Sequence, residues 1–397
     1  MANTLLTTSQ ITNEILDILS QRMTFLKRIN RNYDDSFAQT GAKIGNVISI
    51  RVPTNSKIRQ GRQMDAGNML DKVVPLTITD QTGVDLVWNS ADQALSIDDF
   101  RARYLEQPIA NMMSWIEGQV ISRALPYTYN TIPNTDGVID LLDALQASKV
   151  LTDNLAPTER FMLTNTMGTI QMVNANKGLF NAQTQIGNQY EEGLMLRAAG
   201  FDWYETTNMP TQVRGTANTA YTVNGANQTG STLAVTGGTG TMNAGDTFTI
   251  ANVFAVNPAT KVSTGSLQTF VVTANYAGGA GNVSIAPAIV GPGDPQQNVS
   301  VLPAAGAAIT VNGTSGTTTG VNLGFARDFV TFATVDLPLP PNKDASRKQF
   351  QGISVRMIMD YDTINDQFLN RVDILWGSAV LRPEFGVKIP NDITKVA

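Results

Sequence analysis

The stretch DTFTIANVFAV, Asp246–Val256, carries apolar side chains at regular positions, among them Phe248, Ile250 and Val253. Alternation of this kind is typical of a half-buried β-strand. The stretch lies within Thr216–Gly324, a segment that holds only three charged residues: Asp246, Lys261 and Asp294. A flexible Gly/Thr linker is one interpretation of so few charges, but the apolar positions are too regular for a linker. The segment therefore predicts a separate all-β domain, a small barrel or sandwich.

Shorter β-type runs lie on both sides of this stretch, and glycine-rich turns separate them. The other predicted strands are Ser231–Thr236, Leu267–Thr273, Val283–Ala286 and Ala308–Val311. Asn224-Gly225 and Asn312-Gly313 favour tight hairpin turns, because Asn and Gly both tolerate a positive φ. These turns strengthen the prediction of an all-β domain.

The first part of the chain combines a helix with a predicted hairpin. Ser9–Leu26 has apolar residues at helical spacing, and Ser9 is a plausible N-cap. Val47–Val52 and Val74–Ile78 alternate as strands do, and the polar segment Pro53–Lys72 separates them. An isolated hairpin is marginal in water. We therefore expect a long, outward-reaching hairpin that rests on a neighbouring subunit.

The longest helical signal follows. Ser96 and Asp99 resemble a capping box, and Pro108 should kink the run or begin a second helix. An apolar stripe then continues to Pro126; it consists of Ile109, Met112, Met113, Ile116, Val120, Ile121 and Ala124. The next predicted elements are helix Val138–Leu151, strand Phe161–Thr164, helix Thr166–Val173, helix Tyr190–Ala199 with Gly200 as its C-cap, and strand Phe201–Thr206.

Strand patterns return after the charge-poor segment, at Phe329–Leu337, Ile353–Asp360 and Arg371–Leu381. These strands need partners from the earlier part of the chain. The charge-poor segment is therefore predicted to be an insertion into one mixed α+β unit.

The composition argues against an enzyme. The chain has no Cys and no His, which removes thiolate nucleophiles, the usual zinc sites and any Ser-His-Asp triad. The net charge is −5 and only 15% of residues are charged, which argues against tight binding of nucleic acid. No secretory signal and no apolar run of membrane-spanning length are found, so we expect a soluble protein that is not exported.

Four patterns resemble sites, and each has a simpler interpretation. Gly237–Gly240 lacks the Gly-Lys-Ser/Thr ending of a phosphate-binding loop and predicts a turn. Asp360, Asp362 and Asp366 lack the Gly and Glu of a calcium loop. The adjacent carboxylates are Asp34-Asp35, Asp98-Asp99 and Glu191-Glu192, a spacing that does not provide a sugar cleft. A basic cluster, Arg22, Lys27, Arg28 and Arg31, is interpreted as a solvated helix end, with contact to DNA or to an acidic partner as the alternative.

Asn-x-Ser/Thr triplets begin at Asn227, Asn282, Asn298 and Asn312 and are attributed to chance in a Thr-rich segment. The sequence therefore predicts no catalytic, cofactor-binding or metal-binding residues, and no cofactor.

The order of elements resembles the major capsid proteins of tailed bacteriophages. The stretches that carry the resemblance are Gly193–Pro210, Phe325–Val330, Leu337–Pro340, Tyr361–Phe368, Arg371–Gly377 and Leu381–Glu384. The charge-poor segment is similar in place and character to the inserted β-barrel of the short-tailed phage coat type. The resemblance implies an α+β capsid fold with an N-terminal arm, an extended β loop, a spine helix, peripheral and axial domains, and an inserted all-β domain.

The resemblance also assigns ranges. Residues 1–43 are expected to form the arm, 44–90 the extended loop, 91–130 the spine helix, and 131–207 the peripheral domain with the first part of the axial domain. Residues 208–325 are expected to form the inserted β-barrel, and 326–397 the return through the axial domain.

The function implied is a major capsid protein that assembles, with a scaffolding protein and a portal, into an icosahedral shell around phage double-stranded DNA. The resemblance further implies pentamers and hexamers, and a decoration protein as a possible partner. It implies weak DNA contact without sequence specificity and no membrane partner. It also implies assembly in the bacterial cytoplasm and location in the virion. Some relatives crosslink through a Lys and an Asn; that pair has no evident place here, so non-covalent assembly is predicted. The alternatives are a phage tail or receptor-binding protein and a carboxylate hydrolase.

Overall fold

The structure, a computed structural model, describes residues 7–31, 47–52, 61–63, 72–89, 100–175 and 197–395. Its helices are α1 (Thr8–Arg22), α2 (Glu106–Ala124), α3 (Leu141–Asp153) and α4 (Thr166–Ala175). Its strands are β1 (Val47–Val52), β2 (Lys72–Thr77), β3 (Asp80–Asn89), β4 (Arg160–Thr164), β5 (Arg197–Ala198), β6 (Phe201–Glu205), β7 (Thr211–Val213), β8 (Thr222–Val223), β9 (Gly230–Thr236), β10 (Thr247–Val256), β11 (Ser263–Val272), β12 (Gly281–Ile289), β13 (Ile309–Val311), β14 (Thr318–Ala326), β15 (Val330–Val335), β16 (Asp344–Phe350), β17 (Ile353–Asp362), β18 (Gln367–Val380) and β19 (Gly386–Asn391).

The chain forms two compact units. The first comprises Met1–Ile50, Val73–Val120 and Val330–Ala379, and the second comprises Arg51–Lys72, Ile121–Phe329 and Val380–Ala397. The predicted pairing of β1 with β2 is confirmed as a two-stranded sheet. Most of the polar segment that joins these two strands lies outside the described residues.

In the first unit, β18 is the central strand of a five-stranded sheet. It pairs antiparallel with β17 and with the whole of β3, from Gln367 opposite Asn89 to Trp376 opposite Asp80. Strand β16 extends the sheet beyond β17. Because β3 precedes the charge-poor segment and β18 follows it, this sheet confirms that the C-terminal strands pair with earlier ones. Strand β3, which the sequence placed at the end of the extended loop, lies in this sheet.

Helix α1 packs on β16 and β17 through one apolar face that includes Ile11, Ile15 and Leu19. The predicted N-cap was wrong. Thr7 caps the helix: its hydroxyl accepts the N–H of Gln10, whose side chain in turn accepts the Thr7 N–H. This reciprocal capping box satisfies two backbone donors, which Ser9 inside the helix does not do. The helix ends at Arg22, four residues before the predicted Leu26.

A buried carboxylate ties α2 to the segment after α1. Glu117 is 2% exposed, and its Oε1 accepts the backbone N–H groups of Thr24, Phe25 and Leu26 at 2.8, 2.8 and 3.1 Å. Consecutive N–H groups converging on one anion form a concave anion site. Closer to solvent, Arg101 contacts Glu14 at 2.8 Å. The polar contacts therefore fix the path of the chain between α1 and α2.

The apolar stripe predicted for the spine helix is confirmed, because each of its residues is at most 3% exposed. Pro108 is the third residue of α2 and not its first. A single π-helical turn, Arg101–Leu105, precedes α2, so the backbone stays helical on both sides of the proline. The predicted capping box at Ser96 and Asp99 lies outside the described residues.

In the second unit, a sheet with strand order β19-β14-β4-β6-β5 is built from distant parts of the chain, and β7 also pairs with β14. We call it the host sheet. Strand β14 pairs antiparallel with β4 and β19, whereas β4 and β6 are parallel. Helix α3 packs on β19, and α4 on β4. Helix α3 begins at Leu141 and not at the predicted Val138, because Asp140 and Asp143 form a capping box there.

Strands β8–β13 form a second sheet, with strand order β13-β10-β11-β12-β9-β8. Its edges meet, because Thr222 of β8 bridges Ala308 just before β13. Closure removes exposed strand edges. We call this element the inserted barrel, since the chain leaves the host sheet at β7 and returns to it at β14. Its core is separate and consists mainly of Tyr221, Val223, Leu233, Val235, Phe248, Ile250, Val253, Phe270, Val272, Val283, Ile285 and Ile309.

Most of the predicted helix Tyr190–Ala199 lies outside the described residues. Its end was predicted wrongly, because Arg197–Ala198 is strand β5. Gly200, predicted as a helix C-cap, instead has φ +82° in the turn between β5 and β6. Glycine adopts a positive φ both at a helix C-cap and in a turn between two strands, so the residue type alone does not distinguish these two structures.

Replacing Glu117 tests the link between α1 and α2. Glu117→Leu leaves three backbone N–H groups without their acceptor, so we expect the free energy of unfolding to fall by roughly 3 kcal/mol. Glu106→Gln is the control, because Glu106 forms an exposed ion pair with Arg22 and should cost less than about 1 kcal/mol. Urea unfolding measures both changes. Equal effects of the two substitutions would contradict this assignment.

Candidate functional site: the junction between the inserted barrel and the host sheet

Arg214 holds together the two chain segments that connect the host sheet to the inserted barrel. Its guanidinium donates to the carbonyls of Gly215 and Ala217 on the incoming segment, at 3.2 and 3.1 Å. It also donates to Asn312 and Val311 on the outgoing segment, at 2.9 and 3.3 Å. The planar fork of arginine suits this arrangement, since it presents donors in several directions from a rigid group. Burial lowers the pKa of Arg214, and the nearby Asp246 opposes that effect.

Asp246 stabilises the same junction from the side of the inserted barrel. Its carboxylate is 2% exposed and accepts the backbone N–H groups of Gly215 and Asn243 at 2.9 and 2.8 Å. The Gln212 side-chain amide donates to its other oxygen at 3.4 Å. One of the three charges in the charge-poor segment is therefore buried at the junction, where it satisfies backbone donors.

Lys388 of β19 completes the junction from the host sheet. Its ammonium donates to the Gly245 carbonyl at 2.6 Å and to Gln212 Oε1 at 3.3 Å, and the residue is 3% exposed. Burial lowers the pKa of Lys388 to about 7, although the Asp246 charge opposes the shift. Removing an ammonium from water disfavours its charged form.

A cavity of about 570 Å³ lies beside these groups. Its wall includes Thr131, Asn134, Asp136, Gln212, Arg214, Asp246, Asn312, Thr317, Thr319, Lys388, Asp392 and Thr394. Cations and carboxylates of the wall are interspersed, so the cavity does not favour one sign of ligand charge. The arrangement joins the inserted barrel to the host sheet.

Buried amide side chains form a further polar network on α4, β14 and β19. Gln171, Asn322 and Asn391 are each at most 1% exposed. Asn391 Oδ1 accepts from the amide groups of Asn165 and Asn322 at 2.8 and 3.1 Å, and its own amide donates to Gln171 at 3.0 Å. Gln171 donates in turn to the Asp392 carbonyl. Satisfied buried networks specify one arrangement of the segments that they join, here α4, β14 and the C-terminal segment.

The glycine run singled out in the sequence forms a turn in the inserted barrel between β9 and β10. A Cβ atom at Gly238 would lie 2.2 Å from the ring of Tyr221, and Tyr221 donates its hydroxyl proton to the Gly240 carbonyl at 2.7 Å. These glycines therefore allow close packing against a buried aromatic ring.

The three aspartates considered for calcium lie in the β17–β18 hairpin and bond to their own surroundings. Asp360 pairs with Lys343, which lowers the pKa of Asp360. Asp362 accepts from Asn365 and from the Ile364 N–H, and these bonds lower its pKa. Within the residues that the structure describes, no group of three or more His, Cys, Asp or Glu side chains is arranged to hold a metal ion.

The remaining sequence candidates are dispersed. Of the basic cluster, Arg22 pairs with Glu106 at 2.8 Å, Arg28 donates to the Thr24 carbonyl, and Lys27 is exposed. The carboxylate pairs Asp34-Asp35, Asp98-Asp99 and Glu191-Glu192 lie outside the described residues. None of the described helices is long and apolar enough to cross a membrane.

Asp143 has the raised carboxyl pKa that a hydrolase would require. Burial, followed by the charges of Asp140 and Asp136, raises the pKa of Asp143 to about 6, although a hydrogen bond from the Asp140 N–H opposes the shift. The same side chain closes the capping box of α3. The structure therefore gives Asp143 a structural role at the start of a helix.

Sequence reasoning missed Gln212, Arg214 and Lys388. Arg214 carries the last charge before the charge-poor segment, which was a usable signal. Lys388 lies between Val387 and Ile389 in β19. A lysine between two apolar residues is also the pattern of a strand with one exposed face, so the sequence did not identify Lys388 as buried.

The α+β fold has sheets completed by strands from both sides of an inserted β-barrel. A family model described as P22 coat protein, gene protein 5, matches residues 1–391, and the chain belongs to this family. The protein is thus a structural component of the phage capsid.

Among solved structures, the chain is similar to one from Mycobacterium phage Che8, with 12% identity over 99% of this chain and 96% of that chain, and a TM-score of 0.47. A capsid structure of the cyanophage P-SCSP1u has 13% identity over 87% and 83% of the two chains, and a TM-score of 0.43. The CUS-3 coat protein I-domain has 30% identity over 24% of this chain and 96% of its own, with a TM-score of 0.19. Comparison with curated proteins finds no match.

Lys388 makes stability depend on pH. Because its pKa is about 7 in the folded protein and about 10.4 in an unfolded chain, the unfolded state binds more protons between these values. The free energy of unfolding should therefore rise from pH 7 to pH 9, by up to about 1.4 kcal/mol per pH unit.

Lys388→Met should abolish most of this slope, as measured by urea unfolding across that pH range. Lys149→Met is the matched control, because the Lys149 side chain is 53% exposed, and it should keep the wild-type slope. A Lys388→Met protein with an unchanged slope would show that another group causes the dependence.

Proposed function

We propose that the chain assembles non-covalently, as pentamers and hexamers, into an icosahedral shell that encloses phage double-stranded DNA. A scaffolding protein and a portal guide closure, a decoration protein is a possible further partner, and assembly takes place in the bacterial cytoplasm. The observation that carries the proposal is the family match along residues 1–391, which includes the inserted barrel and the parts on both sides of it. The low charge is consistent with a surface that neighbouring subunits largely cover.

The proposed roles follow the chain. Residues 1–43 serve as the arm, 44–90 as the extended loop and 91–130 as the spine. Residues 131–207 form the peripheral domain and the beginning of the axial domain. Residues 208–325 form the inserted domain together with the host-sheet strands at its two ends, β7 and most of β14, and 326–397 form the return. Shell closure requires many modest contacts, because the entropy lost on association offsets much of the gain from each buried surface. Arms and loops that reach several neighbours add multivalency.

The protein is proposed to act without catalysis. It is also proposed to contact DNA weakly and without sequence specificity, since a net charge of −5 releases few counterions from the phosphate backbone.

Purified protein, alone and with its scaffolding protein, tests the proposal in negative-stain electron microscopy. We expect closed shells tens of nanometres across, on the order of the size that many copies of a chain this long can enclose. Fibres or trimers would favour the tail-protein alternative. Persistent monomers under all conditions would contradict the proposal.

A further inference from the structure

Two polar atoms in the wall of the cavity beside the junction are buried without a partner. Thr131 Oγ1 and Asn134 Nδ2 have no hydrogen-bond partner within the part of the chain that the structure describes. Buried polar atoms nearly always have one, and an unmet group lowers stability. Two such atoms on one short wall segment, residues 131–134, therefore point to a ligand that meets them.

Neighbouring hydrogen bonds hold both groups in place. Thr131 lies opposite Lys388 of β19 in a parallel bridge, where the Ile132 N–H donates to the Lys388 carbonyl at 3.0 Å. Asn134 Oδ1 accepts the Gly137 N–H at 2.8 Å. This bond fixes the orientation of the side-chain amide, so its NH₂ group is the side without a partner. Both groups are thus preorganised, which lowers the entropy lost when a ligand binds.

The wall groups with unused bonding capacity are mainly donors. An ammonium has three N–H groups, and Lys388 uses two of them in the bonds given above. The carboxylates, by contrast, already accept. Asp246 accepts from backbone N–H groups, and Asp392 accepts from the N–H and the hydroxyl of Thr394 at 2.8 and 2.7 Å. A ligand of this cavity must therefore supply oxygen acceptors.

The charges of the wall favour an uncharged ligand. Arg214 and Lys388 would repel a cation, and Asp136, Asp246 and Asp392 would repel an anion. Several other wall residues are threonines, whose hydroxyls donate or accept as the partner requires. Sugar hydroxyls have the same property. The cavity volume of about 570 Å³ lies within the range of small-molecule pockets.

We propose that the cavity binds an uncharged saccharide of one or two sugar units. Its hydroxyl oxygens accept from the Asn134 amide, the Thr131 hydroxyl and the remaining N–H of Lys388. The bound sugar joins residues 131–137 to β19 and to the segments that connect the inserted barrel. Saccharide binding is a further activity, and it does not depend on the proposed shell assembly.

Calorimetric titration of the full chain with glucose, N-acetylglucosamine and maltose tests the proposal below pH 7, where most of Lys388 is protonated. We expect saturable binding of at least one of these sugars, at one site per chain. Saturation is the decisive readout, because concentrated sugars stabilise proteins in general by exclusion from their surface. A longer oligosaccharide of the sugar that binds distinguishes its source: equal binding indicates the end of a glycan chain, and loss of binding indicates a free sugar.

Thr131→Val and Asn134→Asp test the site itself. Each removes an unpartnered donor, and Asn134→Asp keeps an oxygen that accepts the Gly137 N–H. Each should weaken sugar binding by about tenfold, the factor that one lost hydrogen bond produces. Without sugar, Thr131→Val should unfold at the wild-type temperature or above it, since the lost hydroxyl has no partner. Thr232→Val, at an exposed position of β9, is the control and should bind as the wild type does.

Three results would overturn the proposal. The first is the absence of saturable binding for all three sugars. The second is binding by Thr131→Val and Asn134→Asp that equals that of the wild type. The third is saturable binding of phosphate or acetate in place of the sugars.

Discussion

The second unit depends on one constraint: the chain must leave the host sheet, build a closed barrel, and return to the same sheet in register. Strand β7 pairs with β14, so the last strand before the barrel and the first strand after it are neighbours. Arg214 bonds the carbonyls of both connecting segments, and Asp246 fixes the incoming segment. Because β14 also pairs with β4 and β19, a displaced return would disturb the whole host sheet.

Burying ions at such a place is costly unless every donor and acceptor has a partner. The junction supplies partners for these ions mainly from backbone groups: carbonyls for Arg214 and Lys388, and N–H groups for Asp246. The barrel core and the host sheet can therefore remain separate apolar units while a polar contact sets their register.

Sequence patterns predicted the elements that have a regular period and a local partner. The alternation in Asp246–Val256 and the apolar stripe of α2 are examples, and both are confirmed. Strand β14 was not predicted, although Val321, Leu323 and Phe325 alternate with the small or polar residues Asn322 and Gly324. The predicted end of the charge-poor segment at Gly324 placed most of this strand inside the insertion. The junction escaped prediction because Gln212, Asp246 and Lys388 are far apart in sequence and meet only in the folded chain. The resemblance to capsid proteins predicted how the elements are grouped along the chain. Local periodicity does not indicate this grouping.

Hydrogen–deuterium exchange of an Arg214→Met protein tests most directly whether the junction holds the barrel in register. The account predicts faster exchange in 211–217, 311–317 and β14, with the paired core strands β10 and β11 as protected as in the wild type. Exchange rates that are unchanged in all these segments would contradict the account, because chain connectivity alone would then hold the barrel in register. Loss of protection in the barrel core as well would show that the two sheets are not separate units.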